Sequence, residues 1–213
     1  VLSECQWFHK KRAKAVSIIT KGHEHRHASS RYLSALSRHH ADFIKDQCHK
    51  ISRSIINYCI EHHAGTLVLG ENKRWKQDCD MDSQNNQNFV SMPIGLLKQM
   101  IIYKASDAGI KTIMQEESYT SQADITAMDY IPVYGVDAEN AVFSGRRISR
   151  SLYRCFNGMI INADCNGAAN IMRKAITDAW NSITDFSFLA SPEVSGFHEL
   201  NPLSISVKGI AAA

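Results

Sequence analysis

The stretch Ile161-Asn162-Ala163-Asp164-Cys165-Asn166-Gly167-Ala168-Ala169-Asn170-Ile171 holds the residue types best suited to chemistry. An apolar run ends in an acid, and small residues follow it. A sheet holds an Asp at a strand end rigidly, and Gly167, Ala168 and Ala169 let a following helix come close. Nothing bulky then stands between the Asp164 carboxylate and a bound cation. Read from these residues alone, Asp164 is either a metal-binding carboxylate or the cap of the next helix. Lys73-Arg74-Trp75-Lys76 is a second candidate. A basic run with an aromatic can grip phosphates and stack a base; Trp75 can equally anchor a loop in the core. The histidines at 23, 25 and 27 and the pairs His39-His40 and His62-His63 lack the i, i+4 spacing of a helical metal pair. They read as phosphate-contacting or solvated.

The charge distribution supports a phosphate-binding reading. The net charge is only +3, but residues 1–76 hold fourteen Lys/Arg against six Asp/Glu, residues 77–143 three against ten, and residues 144–176 six against one. Basic blocks around an acidic middle suit a protein that grips a polyanion beside a carboxylate site; a solvated helix face is the competing explanation. Arg146, Arg147 and Arg150 in the last basic block are candidate nucleic-acid contacts, alongside Lys73, Arg74, Trp75 and Lys76. The six cysteines, at 5, 48, 59, 79, 155 and 165, form no C-x-x-C pair. That speaks against a zinc ribbon or a disulfide scaffold and for free thiols. No apolar run has the length of a bilayer span, and the first residues lack the pattern of a signal peptide. The expected location is the cytoplasm of a prokaryotic cell, at the nucleoid, with no membrane partner. The missing initial Met suggests a fragment.

The elements that must position these residues follow from periodicity. Residues 28–62 read as one long helix, with Leu33, Leu36, Phe43, Ile44, Ile51, Ile55 and Cys59 on its apolar side. Ser29 or Ser30 caps its start, and Gly65 ends it. Arg31, Arg38, Lys45, Lys50 and Arg53 lie on the opposite face. Thr66–Leu69 reads as a buried strand and 71–91 as a polar loop. Pro93 opens a second helix, with Leu96, Leu97, Met100, Ile101 and Ala105 on one side and Gly109 closing it. Ile110–Met114 is the next strand, so the order implies a parallel crossover. Residues 118–145 read as an irregular insertion. Ser151–Cys155 and Met159–Asn162 form a hairpin around Phe156-Asn157-Gly158. Asn166 is expected to cap a helix from about Gly167 to Ile176. The division is a basic helical segment over 1–64, a core over 65–176 and a loose tail over 177–213.

Asp164-Cys165-Asn166-Gly167-Ala168-Ala169-Asn170-Ile171 resembles the D-x-N-A/G-A-x-N-I signature of the third RuvC motif in TnpB (OrfB) proteins of IS200/IS605-type transposons and in type V CRISPR effectors. Other stretches agree in the same order: Leu67 to Gln77, Asn86 to Phe89, Tyr103-Lys104-Ala105 with Gly109-Ile110, Glu116 to Ser121, and Ser144 to Ile148 with Leu152-Tyr153. The chain is thereby similar to the C-terminal part of that family.

The resemblance implies an α/β fold of RNase H-like (RuvC) type: a mixed sheet with flanking helices, incomplete at the N-terminus, with a long helix inserted before the second motif. It implies an RNA-guided DNA endonuclease that uses carboxylate-bound Mg²⁺, with target DNA and a guide RNA from the transposon end as partners. Asp164 matches the third carboxylate. Gly70 occupies the slot of the usual second one, and in the similar subgroup the substitute comes from the next strand, at Glu117. Glu71 is the second choice, and Glu116 is expected to face elsewhere. No Asp precedes Asp42 in the sequence, so the first carboxylate is missing and the chain alone is expected to be a poor nuclease, a fragment or a decayed copy. A nuclease-dead, guided DNA-binding repressor is the alternative. The degenerate zinc-ribbon region, about 118–150, lacks the four cysteines that zinc needs, so no zinc is expected.

Overall fold

The computed structural model describes residues 1–21, 28–71, 93–136 and 141–192. They fall into two compact units, one holding Val1–His63 with the helix Ile94–Asp107, the other holding the strands and all that is described after Gly109.

The first unit is helical: α1 Leu2–Thr20, α2 Arg31–Glu61 and α3 Ile94–Asp107. Ser30 caps α2, its hydroxyl oxygen accepting from the Leu33 amide at 3.1 Å. Leu33, Leu36, Ile44, Cys48, Ile56 and Cys59 are buried along α2, whereas Ile51 and Ile55 are only half-buried. The buried stripe passes instead through Gln47 and Ser52. The backbone leaves α2 through a left-handed His63 (φ 53°), so Gly65 does not play the expected terminating part. On α3, Met100, Ile101 and Ala105 are buried as expected, and Gly109 takes a positive φ of 73° where only glycine is unstrained.

Lys104 is buried on the same helix. Its ammonium donates to the His49 carbonyl at 2.8 Å and the Ser52 hydroxyl at 2.6 Å, tying α3 to α2. Burial, then the Arg53 charge, hold its pKa below the ordinary value. Cys5, Ile44, Cys48 and Met100 form the core between the three helices.

The second unit starts with β1 Thr66–Glu71 and β2 Lys111–Glu116. They pair in parallel, as the strand–helix–strand order requires, with Leu67 opposite Thr112, Gly70 opposite Gln115 and Glu71 opposite Glu116. β1 is half-buried rather than buried. The ladder runs one step further, since the Glu117 amide donates to the Glu71 carbonyl at 3.3 Å. β3 Arg146–Arg147, β4 Leu152–Arg154 and β5 Ile160–Asn162 form an antiparallel sheet, with the hairpin turn made by a left-handed Gly158 (φ 83°). The described strands thus form two separate sheets, one parallel and one antiparallel, rather than one mixed sheet. The segment between β2 and β3 is irregular among its described residues, as expected.

α4, Ala163–Ala175, starts earlier than expected. Asn162, not Asn166, is its cap: the Asn162 side-chain oxygen accepts from the Asp164 amide at 2.9 Å and the Cys165 amide at 3.1 Å. The core of this unit gathers Ile125, Tyr153, Cys155, Ile161, Ala163, Ala169, Phe186 and Leu189. The last two lie in the segment expected to be a loose tail. Up to residue 192 that segment packs instead, with Phe186 and Leu189 buried and the Trp180 indole donating to the Ala169 carbonyl at 3.0 Å. No described helix is long and apolar enough to cross a membrane.

Candidate carboxylate site

Asp164 occupies the first turn of α4, where the helix dipole favours a negative charge. Because Asn162 does the capping, the Asp164 carboxylate is left over, and its side chain is 84% exposed. It pairs with Arg147, whose guanidinium lies 3.4 Å from Asp164 Oδ1. The same guanidinium donates to the carbonyls of Ser149 and Arg150, which fixes it across the β3–β4 turn.

Glu117 sits where β2 runs out, over Gly70 of the neighbouring strand. A Cβ built on Gly70 would collide with Glu117 Oε2 and would stand 3.0 Å from Ile171 Cδ1. The carboxylate therefore fills the space that a side chain at position 70 would need. Ile171 lies seven residues after Asp164 on α4, so the two share a helix face about 10 Å apart along the axis. Glu117 and Asp164 thus belong to the same side of α4, one against Ile171 and one two turns towards the N-terminus.

Glu116 points to a different partner, as expected. Its carboxylate accepts from Lys174 Nζ at 2.6 Å and from the Ser118 amide at 2.6 Å. Burial alone would push Glu116 up; the hydrogen bonds from Lys174 and Ser118 overcome that and hold its carboxyl below the ordinary value. Glu71 lies directly across the ladder from Glu116. Among the described residues no three His, Cys, Asp or Glu side chains are grouped so as to hold a metal ion. The donors Glu117 and Asp164 are of the hard-oxygen type that suits Mg²⁺, but by themselves they do not complete a site.

The two asparagines of the motif have work that sequence reading missed. Asn166 and Asn170 are fully buried on the face of α4 away from Asp164. Asn166 accepts from the Ile125 amide at 3.2 Å and donates to the Ala123 carbonyl at 2.8 Å. Asn170 donates to the carbonyls of Thr120 and Ala123 at 3.1 and 2.8 Å. Together they sew the irregular segment to the helix. Their i, i+4 spacing, which stacks them on one face, was the available signal.

The segment is closed further by two buried acids. Asp124 accepts from the Thr126 and Phe156 amides at 2.8 and 2.6 Å. Asp129 accepts from the Asp124 and Ser144 amides at 2.9 and 2.8 Å and from the Ser144 hydroxyl at 2.5 Å. The Cys155 thiol lies beside this knot; burial, with Asp124 adding to it, pushes it up to about 11.

Of the expected nucleic-acid contacts, Lys73, Arg74, Trp75 and Lys76 lie outside the described residues. Arg146, Arg147 and Arg150 are exposed. Arg147 is engaged with Asp164, while Arg146 stands directly across the antiparallel register from Arg154, also exposed. Two like charges opposite each other on a sheet are unfavourable without an anion between them. Of the histidines, His39 and His40 pack against α1 at Trp7 and Phe8, and the His62 ring nitrogen lies 2.9 Å from the Tyr58 carbonyl.

Residues 95–171 match the family model described as Cas12f1-like, TNB domain. Over 132 residues the chain is 32% identical to the CRISPR-associated endodeoxyribonuclease Cas12f1 of Sulfoacidibacillus thermotolerans, covering 62% of this chain and 27% of that protein. Over 141 residues it is 30% identical to Cas12f2, a CRISPR-associated endodeoxyribonuclease of a Micrarchaeota archaeon, covering 62% of this chain and 24% of that one. The chain spans about a quarter of the length of these curated relatives.

Among solved structures it resembles a Cas12f1–sgRNA–target DNA complex, with a TM-score of 0.52 at 18% identity over 79% of this chain and 41% of the other. It also resembles Alicyclobacillus acidoterrestris C2c1 bound to single-guide RNA, with a TM-score of 0.50 at 18% identity over 80% of this chain and 19% of the other. These matches make the chain similar to type V, RuvC-related proteins, with residues 95–171 matching a Cas12f1-like TNB domain.

Proposed function

We propose that this chain supplies the second and third carboxylates of an RNase H-like (RuvC) nuclease site of TnpB type, in a protein that is directed by a guide RNA to DNA. The observation that carries this reading is the Glu117 carboxylate filling the space over Gly70, on the α4 side that also bears Asp164. Glu117 replaces the glutamate that position 70 cannot provide. Glu71 is the weaker candidate, because it is paired across the ladder with Glu116 rather than aimed at that space. Both acids would bind Mg²⁺, which when bound activates water and stabilises the leaving oxygen of a phosphodiester. The chain's own part is to present Glu117 and Asp164 from two rigid elements and to hold Asp164 through Arg147.

The test is a chimera in which this chain replaces the corresponding segment of the S. thermotolerans relative. Guided, Mg²⁺-dependent DNA cleavage is expected, with a loss of at least about 100-fold on Glu117→Ala or Asp164→Ala. Full activity of the Asp164→Ala chimera would refute the assignment.

A second reading keeps the nucleic-acid partners and drops cleavage, as in a guided DNA-binding repressor. That no three acidic or other metal-ligating side chains are grouped to hold a metal ion among the described residues favours it. A chimera that binds guided target DNA normally and never cuts it would select this reading.

A further inference from the structure

α1 carries a second cationic surface, in the helical unit and apart from the carboxylate site. Cys5, Phe8, His9, Val16 and Ile19 turn inward or lie half-buried, while Trp7, Lys10, Lys11, Lys14 and Ile18 are exposed. At 100° per residue these five fall on one outward stripe. One acid, Glu4, lies at its N-terminal edge, seven residues before Lys11. Glu4 is the only acid in α1, and it faces His39 at 4.0 Å. Lys10 and Lys14 are an i, i+4 pair, and Lys11 and Lys14 an i, i+3 pair. Like charges at those spacings repel and weaken a helix. Among the described residues, none of the three lysines has a carboxylate within ion-pair distance.

Trp7 gives the stripe more than charge. An indole 42% exposed on a basic face is unusual. It is held in place by an edge contact to His39 of α2, with ring centroids 6.5 Å apart, and by Lys11 Nζ at 5.9 Å from its centroid. A positioned aromatic beside unpaired cations is the combination that binds an unpaired nucleic-acid strand, with phosphates on the lysines and a base on the ring. A duplex offers the phosphates but no free base face to Trp7.

We infer that the outward face of α1 is a docking surface for single-stranded nucleic acid, with Lys10, Lys11 and Lys14 on phosphates and Trp7 stacking a base. This extends the nucleic-acid reading above to a helix outside the TNB match, and rests on that reading only for the kind of partner.

The test measures binding of the full chain to a labelled oligothymidylate or oligouridylate of about 12 nucleotides, over a range of salt concentrations. Replacing Lys10, Lys11 and Lys14 with Gln is expected to weaken binding and to lower the log–log salt slope by about 2, three single-strand contacts at about 0.7 each. Trp7→Ala weakens binding about tenfold, and replacing the three lysines with Arg retains it. Helicity by circular dichroism stays unchanged in all of them. Wild-type affinity and slope in the Gln variant overturn the proposal, as does preferential capture by phosphatidylserine vesicles over the oligonucleotide. Loss confined to Arg146→Gln/Arg154→Gln leaves the nucleic-acid reading standing and removes α1 from it; absence of binding by every form, wild type included, removes both.

Discussion

The Glu117 carboxylate occupies the space above Gly70, so that a side chain at position 70 would have to displace it. Gly70→Ala puts a methyl group into Glu117 Oε2 and against Ile171 Cδ1. The carboxylate is the far end of a flexible side chain and turns aside at little cost, so the urea midpoint stays close to wild type while Mn²⁺ binding weakens. Wild-type Mn²⁺ affinity in Gly70→Ala would contradict this placement of Glu117.

Asn166 and Asn170 hold the segment 120–125 to α4. Asn166→Ala leaves the Ile125 amide without its buried acceptor, while the Ala123 carbonyl keeps Asn170, at about 1–3 kcal/mol. Amide exchange of Ile125 should accelerate ahead of global unfolding. Equal protection in the variant and the wild type would show that the stitch does not matter.

The Glu116–Lys174 pair gives a sign-defined pH dependence. Its carboxyl is lowered in the folded state, so its contribution is present above the ordinary value of 4.5. That contribution is lost as pH falls from there through the lowered folded value. Lys174→Met should therefore destabilise the protein at neutral pH and flatten the acid limb below about 4.5. An acid limb identical to wild type, measured by thermal unfolding at several pH values, would contradict this.

Cys155 is buried, with its thiol pushed up to about 11. Alkylation of the native protein by iodoacetamide near pH 8 should leave Cys155 unmodified by peptide mass mapping, while denatured protein reacts there. Native labelling at Cys155 would show that the knot around Asp124 and Asp129 opens.

Much of this arrangement was legible in the residues. The parallel crossover, the hairpin around Gly158 and the positive φ of Gly109 follow from local pattern, because glycine and alternation act over a few residues. The start of α4 was misread, since Asn162 and Asn166 are equally good caps and only the extent of β5 decides between them. The loose-tail expectation failed at Phe186 and Leu189 because two apolar residues without a period carry no local signal, yet the core of the second unit supplies them with partners. For Glu117, the family resemblance pointed to the residue; the collision with Gly70 is a tertiary fact that no spacing encodes. The union of Asp124, Asp129 and Ser144 joins positions up to 20 apart through an irregular segment, beyond the reach of periodicity.

The central claim is that Glu117 and Asp164 contribute to one two-metal carboxylate site, and Mn²⁺ binding to the full chain followed by electron paramagnetic resonance tests it most directly. Glu117→Gln and Asp164→Asn should each weaken Mn²⁺ binding about tenfold or more, with the double variant no worse than the weaker single, while Glu71→Gln binds as wild type. Wild-type Mn²⁺ affinity in both single variants, or losses that simply add in the double, would contradict a shared site.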